Sequence, residues 1–271
     1  MDKRYIELED LKKIELDILK HFQQYCEKEN LRFYLSYGTL IGAIRHHGFI
    51  PWDDDIDVMM PRADYDKFMK NYTDPTGTYS FVSYETDHRY YLPFGKLMDN
   101  RTVVDEHFKS NFLLGAYVDI FPMDGYSKKN KYLIRKNRVL RFFSWAHDLT
   151  YKKHALKENI QTFFCHLISF WTSTPKAMKK MIKNARKLDD YETAEYSVIL
   201  SGSLGNAPMK KEGLKVIQVP FEDTMMPCPS GYDEILTDWY GDYMTPPPPE
   251  KQTTMHTGHS VWWKDGEGLE K

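Results

Sequence analysis

Between residues 8 and 28 the apolar positions Leu8, Leu11, Ile14, Leu16, Ile18, Leu19, Phe22 and Tyr25 recur mostly three or four apart, with charges between them. This spacing predicts an amphipathic helix. Residues 32–36 read as a strand, Gly38-Thr39 as a glycine turn and 40–45 as a short helical run, in the order strand, turn, helix. Ile56-Asp57-Val58-Met59-Met60 reads as a buried strand, and Pro61 sits near the first turn of a helix that follows. Beyond a loop at 74–78, segments 91–99 and 102–105 read as strands around a turn, and 115–125 carries another apolar strand. From 128 to 188 basic, aromatic and leucine-rich patterns predict three helices, with a break near Thr172-Ser173-Thr174-Pro175. Residues 213–230 read as a hairpin or extended segment and 231–240 as a helix, after which prolines 246–249 end regular structure. The expected fold is α+β, a mixed β-sheet core flanked by helices. Its core would occupy 1–127, a helical insertion 128–200, and a C-terminal segment 201–271 completing the same domain.

Composition narrows the class. With 37 basic against 39 acidic side chains and a net charge of −2, the chain offers no electrostatic footprint for nucleic acid. Residues 1–15 are charged and lack the apolar core of a signal peptide, and no run reaches the roughly 18 apolar residues that a membrane span needs. A cytoplasmic protein is expected. Cys26, Cys165 and Cys228 are odd in number and far apart, which argues against both a disulfide framework and a zinc site. Aromatic residues make up 15% of the chain, more than a core requires, so some are expected to line a cavity or its rim.

The chemistry concentrates in Trp52-Asp53-Asp54-Asp55-Ile56-Asp57-Val58. On an extended strand Asp53, Asp55 and Asp57 would point the same way, forming a row of carboxylates that repel one another unless a cation neutralises them. Acidic runs usually face water, but this one leads into a buried strand, which favours a site. Mg²⁺ suits such oxygens and is commonly completed by substrate phosphates, so the row points to phosphoryl chemistry. A calcium-binding EF-hand would need glycine and glutamate where Val58 and Asp64 stand. Gly38-Thr39 opens a helix whose N-terminal N–H groups suit phosphate. Arg45 would either bridge phosphate oxygens or remain a surface cation at a helix end. Lys96, flanked by Phe94, Gly95 and Leu97, is either an edge residue or one that reaches into the site. Asp119, between Val118 and Ile120, is expensive to bury without a partner and is read as a third metal carboxylate or a catalytic base. Asp124 is expected in a turn with Gly125. His256 and His259 are too few to make a metal site by themselves.

The run from Ser36 through His46, then Gly48-Phe49-Ile50-Pro51-Trp52 into the aspartates, resembles the LicD family of phosphocholine transferases, relatives of the fukutin-type transferases. Lys96-Leu97, Val118-Asp119-Ile120-Phe121-Pro122-Met123-Asp124 and Tyr240-Gly241-Asp242-Tyr243-Met244 extend the likeness, which thins over 128–210. The resemblance implies a nucleotidyltransferase-like fold, Mg²⁺ or Mn²⁺, and CDP-choline as donor. Such folds usually place a glycine-serine turn where this chain has Gly38-Thr39. By this likeness Asp55 and Asp57 would hold the metal, and Asp119 would complete its site or take the acceptor's proton. Gly38, Thr39, Arg45 and Lys96 would grip phosphates, and Trp52 or other aromatics would face the choline ammonium. The acceptor would be a sugar hydroxyl of a cell-surface glycan or teichoic acid precursor, met at the inner membrane face. A CDP-linked glycerol or ribitol phosphate donor, and a non-catalytic nucleotide- or glycan-binding module, stand as alternatives.

Overall fold

The computed structural model describes residues 3–105, 112–149, 173–200, 207–254 and 260–264. Helix α1 (Leu8–Glu29) follows the predicted periodicity: Leu11, Ile14, Ile18, Leu19, Phe22 and Cys26 are buried. It closes at Asn30, whose left-handed φ of 52° turns its N–H onto the Cys26 and Glu27 carbonyls. Strand β1 (Tyr34–Leu35) leads into α2 (Tyr37–His46), β2 (Ile56–Pro61) and α3 (Arg62–Asn71). Next come β3 (Tyr79–Val82), β4 (Gly95–Asp99), β5 (Thr102–Asp105) and the long β6 (Tyr117–Tyr126). Helices α4 (Lys131–Leu149) and α5 (Thr174–Ala185) pack on each other. The chain continues through β7 (Tyr196–Val198), β8 (Met209–Lys210), the hairpin β9 (Val216–Phe221) and β10 (Thr224–Pro229), α6 (Tyr232–Tyr240) and β11 (Ser260–Trp263).

The main sheet runs β1-β2-β6-β4-β3, and β7 and β8 extend it from β6. Only the β2–β6 pair is parallel; the other pairs in this sheet are antiparallel. The mixed α+β architecture is therefore as expected. Alternation along β2 and β6 sorts the side chains. Ile56, Val58, Met60, Val118 and Ile120 share the large apolar cluster with the buried face of α1. Met59, Phe121 and Met123 join a smaller cluster with Tyr34, Tyr37, Phe94 and Ile235. Asp57 and Asp119 fall in phase with this second set.

Two local expectations change. Segments 91–99 and 102–105 do not pair as a hairpin: β4 lies between β3 and β6, while β5 pairs with β11. Asp124 is no turn residue but a buried member of β6. Arg62 reaches it with two parallel bonds, Nε to Oδ1 at 2.7 Å and Nη2 to Oδ2 at 2.8 Å. Of the helices expected over 128–188, α4 and α5 lie within the described residues, and 150–172 lies outside them. His256 and His259 also lie outside.

Candidate active site

Strand register builds the centre of the site. Asp57 on β2 stands opposite Asp119 on β6, and Asp119 stands opposite Lys96 on β4. Three charged residues from three strands thus share one row across the sheet. Lys96 is only 2% exposed, and its Nζ donates to Asp119 Oδ1 at 2.6 Å. The same ammonium lies 3.2 Å from the centroid of the Tyr117 ring. The edge reading of Lys96 is thereby excluded.

The β1–α2 turn clamps Asp57 by its backbone. Ser36 N–H donates to the Asp57 carbonyl at 2.9 Å, and Asp57 N–H donates to Thr39 Oγ1 at 2.8 Å. Tyr37, between them, takes φ +45°, a region that costs a non-glycine residue energy and is retained where neighbours over-determine the turn. Gly38 is needed for close approach: a Cβ there would lie 2.8 Å from Asp53 Oδ2. The Asp53 carboxylate therefore sits against the N-terminal turn of α2, where the helix dipole favours negative charge.

The predicted carboxylate row takes a different form. Asp53, Asp54 and Asp55 belong to the loop before β2, and only Asp57 is within the strand. The loop nevertheless gathers them, each offering an oxygen within 4.8 Å of the other two. This all-carboxylate donor set suits the hard ions Mg²⁺ and Mn²⁺. One turn of α1 faces the same loop. Lys12 Nζ donates to the Pro51 carbonyl at 2.7 Å, and the buried Glu15 has an Oε2 with no hydrogen-bond partner. A buried carboxylate oxygen left over beside three acids is what a site built for a cation would contain.

Burial first, then Asp55, Asp119 and Asp53, push the Asp57 carboxyl well above the usual carboxylate range, against the opposing effect of Lys96. Burial, followed by Asp55, Asp54 and Asp53, raises Glu15 likewise. A carboxyl whose folded-state value is raised stabilises the fold in acid, and that contribution is lost as pH rises through the raised value. In EDTA, the unfolding midpoint should fall as pH rises above the ordinary carboxylate range, and the fall should be smaller with Mn²⁺ in place of EDTA. Thermal unfolding across this window checks it; a midpoint that climbs would contradict the raised values.

The remaining predicted residues divide. Trp52 lies half-buried immediately before the aspartates, its ring 6.4 Å from that of His46. Arg45 lies in the last turn of α2, the end opposite Gly38, and its Nη1 donates to the Tyr243 carbonyl at 2.6 Å. Tyr37 stacks on Trp239 with ring centroids 5.2 Å apart, which fixes the end of α6 beside α2. The next residue, Tyr240, is 48% exposed. Partial burial, and then the charges of Asp57, Asp53 and Asp55, raise its phenol, so the ring borders the acidic centre. Glu15 was not singled out from sequence, and Tyr240 was noted only as part of the Tyr240-Gly241-Asp242-Tyr243-Met244 likeness, without a role in the site. A cavity of about 960 Å³ between Tyr126–Lys131 and the 189–196 turn shares no residue with this centre; the chemistry, not the volume, locates the site.

Residues 30–176 match the family model described as LicD/FKTN/FKRP, nucleotidyltransferase domain. The chain is 34% identical over 253 residues to the lipopolysaccharide cholinephosphotransferase LicD of Haemophilus influenzae, an alignment covering 89% of this chain and 92% of that one. A 47-residue stretch is 38% identical to an uncharacterized protein of Rickettsia prowazekii, covering 17% of this chain and 18% of that protein. Gly38, Thr39, Arg45, Trp52, Asp53 to Asp57, Lys96 and Asp119 all fall within the span matched by the family model.

Proposed function

Because the chain belongs to the LicD/FKTN/FKRP family and is a phosphotransferase, we propose that it moves phosphocholine from CDP-choline to a sugar hydroxyl of a cell-surface glycan. Lipopolysaccharide, which the Haemophilus relative's name carries, and a teichoic acid precursor are the acceptor classes we put forward. The carrying observation is the row Asp57, Asp119, Lys96 beside the Asp53–Asp55 loop, on a core we read as nucleotidyltransferase-like.

In this reading Asp53, Asp54, Asp55 and Asp57 hold Mg²⁺ or Mn²⁺. When bound, the ion neutralises charge on the donor diphosphate and on the departing CMP. Asp119 is paired with Lys96, which holds its carboxylate in place, and we assign it the role of proton acceptor rather than metal ligand. The acceptor oxygen forms a bond to the phosphocholine phosphorus as that phosphorus releases the CMP oxygen with its electron pair. The acceptor's proton passes to Asp119. Gly38 and Thr39, at the N-terminal turn of α2, hold the Asp53 carboxylate and the Asp57 backbone, and through them position the acids that face the donor phosphates. Arg45 ties the segment after α6 to α2, and Lys96 serves Asp119 in place of a phosphate.

Tyr240, with Trp52, supplies aromatic faces for the choline ammonium. That favours choline over glycerol or ribitol phosphate, whose hydroxyls would call for a polar pocket. The buried acids count against a purely binding module, which has no use for a charge-compensated base. No helix among the described residues is long and apolar enough to cross a membrane; we place the reaction at the cytoplasmic face, where lipid-linked glycans are assembled.

Thermal stability with Mg²⁺ and CDP-choline, CDP-glycerol, CDP-ribitol or CMP tests the donor, because a ligand bound only by the folded state raises the midpoint. A metal-dependent shift with CDP-choline beyond that with CMP is expected, and Tyr240→Ala should lose the difference. Equal shifts from all cytidine compounds would remove the choline pocket. Absence of any shift would turn the reading toward the binding module.

A further inference from the structure

Position 15 is out of character for the surface it occupies. Ile14, Ile18, Leu19 and Phe22 surround it on the buried side of α1, and Glu15 itself is 2% exposed. A carboxylate there, with an oxygen lacking any hydrogen bond, costs stability relative to leucine or methionine unless something else comes to it. The groups whose charges act on it are Asp55, Asp54, Asp53 and Asp119, all acidic. Lys12, three residues earlier and so on the same face of the helix, grips the Pro51 carbonyl and fixes the aspartate loop against α1. Glu15 is not one of the three acids whose oxygens lie within 4.8 Å of one another. It sits behind them, close enough to feel their charge.

We infer that Glu15 belongs to the cation site, accepting hydrogen bonds from water carried by the ion that the aspartate loop holds. The inference rests on the cation reading given above and extends it to helix α1. Mg²⁺ and Mn²⁺ keep several waters when a few carboxylates bind them, and each such water is a strong donor that needs an acceptor. Groups that take those hydrogen bonds orient the hydrated ion, and losing one typically weakens metal affinity by about 10–100-fold. Glu15 supplies the acceptor, and α1 places it where water is otherwise excluded.

Mn²⁺ binding to the full-length chain, followed by the electron paramagnetic resonance signal of the free ion, tests this without using activity. Wild type should bind Mn²⁺, Asp55→Asn should lose most of that binding, and Glu15→Gln should bind about 10–100-fold more weakly. The unfolding midpoint of Glu15→Gln in EDTA should equal or exceed that of wild type, because an amide removes a buried acid from among like charges. Wild-type affinity in Glu15→Gln overturns the inference while leaving the cation site intact. A wild-type chain that binds no Mn²⁺ overturns both. A midpoint lowered equally with and without Mn²⁺, at unchanged affinity, makes Glu15 a packing residue and likewise overturns it. If Glu15→Gln does not fold, Glu15→Asp carries the test: the charge is kept but withdrawn by one methylene, so affinity should still fall, and unchanged affinity refutes the role.

Discussion

Asp57→Asn should reduce turnover by at least about 10³-fold, ~4 kcal/mol of transition-state stabilisation, without lowering the stability of the metal-free protein. Both halves follow from the same geometry. Burial, and then the charges of Asp55, of Asp119 opposite it and of Asp53, make ionising the Asp57 carboxyl unfavourable in the metal-free protein. Asparagine keeps the shape and removes the charge. The backbone bonds that hold the residue, Ser36 N–H to its carbonyl and its own N–H to Thr39 Oγ1, do not involve the side chain. What the substitution removes is negative charge available to a cation and, through it, to the donor diphosphate. Steady-state assays and thermal unfolding in EDTA on one preparation decide the matter. Near-wild-type turnover would take Asp57 out of the site, and a large drop in midpoint would make it a structural residue.

The legible part of this chain was the part governed by local periodicity. The face of α1, the β9–β10 hairpin, α6 and the buried character of β2 and β6 follow from spacings within a few residues. Lys96 and Asp119 were singled out because a charge between apolar neighbours is costly, and each proves to be the other's partner. Their pairing is a matter of register between strands, which no single segment encodes. The same distance problem hid Asp124, whose partner Arg62 lies 62 residues away; beside Gly125 it reads locally as a turn. Asp53 and Asp55 look like one face of a strand, but the turn at Pro51-Trp52 keeps them in a loop, where three consecutive acids converge without needing alternation. Glu15 was passed over because a charge inside an amphipathic pattern is normally assigned to the wet face. Only the position of the aspartate loop beneath α1 reveals that this face is buried. Tyr240 stands in a segment that carries the family likeness but nothing local gives it a role in the site; the stacking of Tyr37 on Trp239 brings it there.

Lys96→Met should destabilise the protein by about 3–5 kcal/mol, because it leaves Asp119 as a buried charge without its counter-ion. Lys96 lies wholly inside, its ammonium held between the Asp119 carboxylate at 2.6 Å and the face of Tyr117 at 3.2 Å. Methionine fills much of the same volume, so a packing defect contributes little and the cost is electrostatic. Asp119→Asn leaves the buried Lys96 ammonium without its counter-ion and should destabilise as well, and the double variant Lys96→Met with Asp119→Asn should recover much of the loss, with a coupling of about 2–3 kcal/mol. Urea unfolding of the four proteins in EDTA measures that coupling. The activities should behave differently. If Lys96 positions Asp119 as the proton acceptor, both single variants and the double are inactive, and recovered stability brings no recovered turnover. A double variant whose activity returned with its fold would show that the pair serves only the structure and that the proton goes elsewhere. A Lys96→Met protein as stable as wild type would mean that the buried Asp119 does not depend on Lys96 for its charge compensation.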